Sequence, residues 1–171
     1  MNANEIALLA KIALDGSMPF PELVSKLIAT GVEYYHVDYA TSSFTYYSAL
    51  GAAVIAPITI ANLPLIEEDF DVAALKAAIL DSQQHGQKFR DFCGRAMRAG
   101  VQGYIAYLRG KRVTYFGRQG DQHTEWFPGA KPNDAYQQRA ADGAVRRVPS
   151  FFAGYSNGVV GGVIVPVCRV Y

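Results

Sequence analysis

FRDFCGRAMRAGVQGYIAYLRGKRVTYFGRQG, residues 89–120, is a second copy of an earlier stretch running from Phe20 to Gly51. At a constant offset of 69 residues, without a gap, seven positions are identical: Phe20/Phe89, Gly31/Gly100, Val32/Val101, Tyr35/Tyr104, Thr45/Thr114, Tyr46/Tyr115 and Gly51/Gly120. The copies also agree in period. Phe20, Leu23, Val24, Leu27 and Ile28 recur at helical spacing, as do Phe89, Phe92, Cys93, Ala96 and Met97, and so lay an apolar stripe along one side of each helix. Gly31 and Gly100 stand where a left-handed residue would end those helices at low steric cost. The pattern then becomes extended and aromatic (VEYYHVDYA; VQGYIAYLR), passes a polar turn (Thr41-Ser42-Ser43; Gly110-Lys111-Arg112) and enters a second strand (FTYYS; VTYFG). Used twice, this unit predicts two antiparallel hairpins, each with a helix laid on it.

Working outward, Ile6, Leu9, Ala10 and Ala13 share one face of a predicted helix over 3–14, and Gly16 is placed to end it. Asp71 is placed to cap the matching helix VAALKAAILDSQQ, so the repeat begins before Phe89. AVIAPITI (53–60) reads as a third strand whose Pro57 assigns it to a sheet edge or a bulge, and HTEWF (123–127) matches it in the second copy. The fold class is therefore α+β: a tandem duplication of a helix-helix-strand-strand(-strand) unit, with helices on one face of an antiparallel sheet. The repeats span about 3–60 and 71–128 within a single domain, 1–171, and residues 129–171 form an extension outside the repeat. In that extension a short helix is expected near 133–141 and a hairpin at Asn157-Gly158.

Half of the 171 residues are hydrophobic and 18% are charged, a balance that excludes a disordered chain. Residues 1–108 hold 7 Lys/Arg and 11 Asp/Glu while residues 109–171 hold 9 and 4, an asymmetry too diffuse for a nucleic-acid footprint. No nucleic-acid partner is expected. The apolar run VVGGVIVPVC is too short for a membrane span, and MNANEIALLAKIALDG lacks the basic start of a secretory signal, so a cytoplasmic setting is expected. The cysteines are Cys93, on an apolar helical stripe, and Cys168.

The blocks GVEYYHVDY, TYYSALG, AAILDSQQ, FCGRAMRAGV and TYFGRQGDQHTEWFP together resemble the YdfO/YbcV-like family of uncharacterised bacterial and prophage proteins, some labelled "phage envelope protein". The resemblance covers roughly residues 1–128. It implies a small α+β fold and carries no catalytic motif.

His36 and Asp38 lie two apart on a predicted strand and so share a face; His123 and Glu125 repeat that geometry in the second copy. Were the two strands neighbours, the four side chains would form a set able to hold a divalent metal or to act as general acid and base. The simpler reading is exposed polar positions on a half-covered sheet. Arg118, in the turn Gly117-Arg118-Gln119-Gly120, could meet an anion together with the turn amides, although a hairpin turn with a solvated arginine is the simpler reading. Tyrosines crowd the strands, and alternation puts Tyr35, Val37 and Tyr39 on one face and Tyr34, His36 and Asp38 on the other. Neither a dinucleotide or P-loop glycine motif nor a GxSxG elbow occurs. The residues favour a non-enzymatic module that binds a small ligand or a protein between the two repeats, at a site lined by His36, Asp38, Tyr46, Tyr115, Arg118, His123 and Glu125. No cofactor is expected unless a divalent metal sits on the two His-x-carboxylate pairs, which would make the protein a metal-dependent enzyme. A third alternative is an assembly protein that forms a homo-oligomer through its aromatic strands and tail.

Overall fold

The computed structural model describes residues 1–130, 158–160 and 163–165, and the chain divides into two compact units, Met1–Lys131 and Pro132–Tyr171. Asn2 and Asp71, one repeat length apart, start helices by the same device. Each side-chain oxygen accepts a first-turn amide, from Asn4 and Ala74 respectively, which caps α1 (Ala3–Asp15) and α3 (Val72–His85). The second helices, α2 (Phe20–Ala29) and α4 (Phe89–Arg98), carry the apolar stripes, from which Leu23, Leu27, Phe92, Cys93, Ala96 and Met97 are buried. Gly31 and Gly100 follow them with φ of 85° and 78°, the left-handed conformation expected there.

Six strands follow the same offset: β1 (Val32–Asp38), β2 (Ser43–Ser48) and β3 (Ala53–Pro57), then β4 (Val101–Tyr107), β5 (Arg112–Gly117) and β6 (Gln122–Trp126). They form one antiparallel sheet in the order β3-β2-β1-β4-β5-β6. Pro57, which lacks the N–H that a ladder on both sides would need, sits on edge strand β3 as its sequence implied. The repeats share their register, including a bulge between Val32 and Tyr34 and its counterpart between Val101 and Gly103. At the seam, β1 pairs with β4 through His36↔Ile105, residues that are themselves 69 apart. A pseudo-twofold axis therefore passes between them.

The four helices cover one face of this sheet. Tyr35, Val37, Phe44, Tyr46, Ala56, Tyr104, Ala106, Val113 and Tyr115 point into the resulting core, where they meet Ile6, Leu9, Leu27, Leu75, Phe92 and Met97. Cross-copy contacts tie the halves together: Phe89 of α4 packs on Phe44 of β2 at 5.7 Å, and its counterpart Phe20 meets Phe127 at 6.0 Å. Four of the core tyrosines form two symmetry-related pairs, Tyr35/Tyr46 at 5.5 Å and Tyr104/Tyr115 at 5.3 Å, joined across the axis by a Tyr35–Tyr104 contact at 6.2 Å.

In the second unit, β7 (Gly158–Val160) pairs antiparallel with β8 (Val163–Val165). Val160 pairs with Val163, and the hairpin signal Asn157-Gly158 rests on Asn157, which lies outside the described residues. The helix expected near 133–141 and Cys168 lie outside the described residues.

Candidate functional site

Alternation along the strands decides which side chains can act together. With Tyr35 and Val37 in the core, Tyr34, His36 and Asp38 take the other face, which no helix covers among the described residues. Register carries this choice across the sheet. Tyr115 pairs with His123 and Val113 with Glu125, so His123 and Glu125 lie on the helix side of edge strand β6. The two His-x-carboxylate pairs therefore occupy opposite faces, with β4 and β5 between their strands, and do not converge. No group of three or more His, Cys, Asp or Glu able to hold a metal occurs among the described residues. The pairs also bond differently: the His123 ring meets Glu125 at 3.2 Å, whereas Asp38 accepts the backbone amides of Ala40 and Thr41 to shape the β1–β2 turn and leaves His36 without it.

The remaining candidates also separate. Tyr46 and Tyr115 are core residues, 2% and 6% exposed, and Arg118 sits in the β5–β6 turn facing Glu68 at 3.7 Å. Burial raises the hydroxyl pKa values of Tyr35, Tyr39, Tyr46, Tyr104 and Tyr115 well above the usual 10. Burial likewise pushes the Cys93 thiol up to about 12, with the Tyr39 hydroxyl pulling in the opposite direction. A thiol held protonated in this way is no nucleophile at neutral pH. The Tyr39 hydroxyl itself has no well-formed hydrogen bond. The helix-covered face is thus a neutral packing core.

The uncovered face is built differently. Register lines up Tyr47, Tyr34, Tyr107, Arg112 and Trp126 as one transverse row over β2, β1, β4, β5 and β6. Tyr34 stacks on Tyr47 at 4.6 Å and 14° and lies 6.1 Å from Tyr107; the Arg112 guanidinium then stands 5.2 Å from the Tyr107 ring and 5.5 Å from Trp126. Beside the row, the His36 ring lies 5.5 Å from that of Phe116, tilted by 39°, with its Nε2 sealed and unpartnered, and Ile55 is 73% exposed. Of the identities between the copies, Tyr35/Tyr104 and Tyr46/Tyr115 lie on the core face; Thr45/Thr114 alone lies on the open one. The pseudo-twofold mates of Tyr34, Tyr107, Arg112 and Trp126 are Gly103, Asp38, Ser43 and Pro57. The mate of Tyr47 is Phe116, so of the five row positions only this one carries an aromatic ring in both copies.

Arg112 was not among the residues singled out from sequence. Alternation does separate Tyr34 and Tyr47 from Tyr35 and Tyr46, but the β1–β4 register that completes the row is a tertiary pairing without a local signal.

The family described as "Protein of unknown function (DUF1398)" matches residues 15–124, well over half of the chain. The chain belongs to that family. Its match runs from the end of α1 into β6 and so takes in the whole repeat seam and four strands of the aromatic row complete. Over 82 residues the chain is 32% identical to the uncharacterised protein Rv2012 of Mycobacterium tuberculosis, and equally to the uncharacterised protein Mb2035 of Mycobacterium bovis. The aligned stretch covers 45% of this DUF1398 member and 50% of each relative, so the chain spans about half the length of the relatives it matches.

Proposed function

We propose that this DUF1398 member is a non-enzymatic binding protein whose uncovered sheet face is the working surface. The resemblance noted above supports reading it as a bacterial, prophage-type accessory protein. The observation that carries the binding reading is the row Tyr47–Tyr34–Tyr107–Arg112–Trp126. A two-layer fold needs only one apolar face on its sheet; the large rings on the second face stack on one another but have no covering layer among the described residues. Tyr, Trp and Arg are also the side chains that dominate protein interfaces. Rings that already stack on one another lose little freedom on docking.

Native mass spectrometry of the untagged protein tests this reading. A co-purified mass is expected on the parent protein, whether small molecule, protein or second copy, and it should be lost from a Tyr34→Ala/Tyr107→Ala variant that keeps its melting temperature within a few degrees. A bare monomer, or a bound mass retained by the variant, would defeat the proposal.

A further inference from the structure

Arg112 is the one charged member of the aromatic row, and its surroundings leave that charge unmet. The guanidinium is held between the Tyr107 and Trp126 rings, and its Nε is sealed from solvent without an acceptor. Among the described residues Arg112 has no ion-pair or hydrogen-bond partner, whereas Arg95 and Arg118 each have a carboxylate. It lines a shallow depression of about 440 Å³ together with Glu33, Tyr34, Tyr107, Arg109 and Gly110. The one acid there, Glu33, faces Arg109 at 3.8 Å, with the Arg109 side chain 85% exposed, a contact too solvated to hold either group firmly. Arg109, Lys111 and Arg112 thus make this corner basic, while the pseudo-twofold mates of those positions, Ala40, Ser42 and Ser43, are neutral.

We infer that this corner recognises a carboxylate on an acidic peptide segment of a protein partner, a conclusion that rests on the binding reading above. A guanidinium presents a rigid planar fork of donors that matches a carboxylate, and the two flanking rings confine the Arg112 fork in advance. The row argues against a nucleobase platform. Tyr34 already faces Tyr47 and Tyr107, and Tyr107 already faces Arg112, so the rings present mainly edges and hydroxyls.

Trp126 is the chain's one tryptophan and stacks on Arg112, so its emission reports on this corner directly. The full-length protein, at low salt, is titrated with capped hexaglutamate, capped hexalysine and an oligothymidylate of about a dozen nucleotides. A saturable emission change is expected with hexaglutamate alone, weakening as salt is added. Affinity should fall about tenfold or more in Arg112→Gln, since a charge-assisted hydrogen bond is lost. It should fall several-fold in Arg112→Lys, which keeps the charge without the fork, and stay unchanged in Arg118→Gln. Four outcomes would overturn the assignment: no saturable response, undiminished binding in an Arg112→Gln variant that melts like the parent, tighter binding of the oligothymidylate, or unfolding of both Arg112 variants. Failure here, together with a mass that is lost from the Tyr34→Ala/Tyr107→Ala variant, would leave the face as a binding surface and remove only its preference for carboxylates.

Discussion

A side chain at Gly100 has nowhere to go. Its φ of 78° is left-handed, and a Cβ built there would collide with the Asp69 carbonyl and the backbone of Phe70, which run over it in the inter-repeat connector. Gly31, its repeat mate, has the same kind of φ, 85°, with nothing within 4 Å of such a Cβ. The pair separates two effects that usually occur together. Gly31→Ala should cost about 1 kcal/mol, the ordinary left-handed penalty. Gly100→Ala should cost about 3 kcal/mol, because the connector must also move. Urea unfolding of both variants checks this; equal costs would mean that the connector does not hold its place against Gly100. Sequence showed that both positions end helices but not that one lies under another segment. The same limit explains the candidate site. Alternation told that Tyr34 and Tyr35 face opposite ways; which face the helices choose is a packing decision, and it took Tyr46 and Tyr115 into the core.

Elements whose cause is local were readable, and those whose cause is distant were not. The four helices, the glycines behind them and the edge position of β3 follow from apolar period, left-handed glycine and the missing N–H of Pro57. Asp71 is of this local kind. Its carboxylate accepts the Ala74 amide at 2.9 Å, while its own N–H binds the Ala99 carbonyl at the end of α4. Asp71→Ala should therefore remove the cap and leave the backbone anchor, lowering unfolding stability by about 1 kcal/mol, and Asp71→Asn should lose much less. Chemical denaturation with circular dichroism distinguishes the two, and equal losses would show that the negative charge, not the hydrogen bond, is what matters. The separation of His36/Asp38 from His123/Glu125 is of the distant kind. Each pair has the right local spacing, but β4 and β5 lie between the strands and the register of β5 on β6 turns the second pair toward the helices.

The two copies together make an object that neither makes alone: a sheet whose twofold centre lies between His36 and Ile105 and whose core holds five buried tyrosines and a buried thiol. This core sets how the described fold responds to pH. In the folded protein Tyr35, Tyr39, Tyr46, Tyr104 and Tyr115 have pKa values raised above 10, and Cys93 is raised from 9.0 to about 12, all chiefly by burial. The unfolded chain releases these protons first. Below about pH 7.5 both states are protonated at these groups and their contribution to stability is constant; as pH rises, first the unfolded thiol and then, nearer about pH 10, the unfolded tyrosines hold fewer protons than the folded state, and stability falls. The helix layer should therefore fail as a unit in alkali. Absorbance at 295 nm, which follows tyrosinate, should show a step for these tyrosines that coincides with loss of the circular dichroism signal. In Tyr35→Phe/Tyr104→Phe, two fewer groups resist ionisation, so unfolding should shift to higher pH if the rings alone supply the packing. Tyrosinate forming fully while the dichroism signal persists would mean that water reaches these hydroxyls in the native state, and the symmetric core would then be an open one.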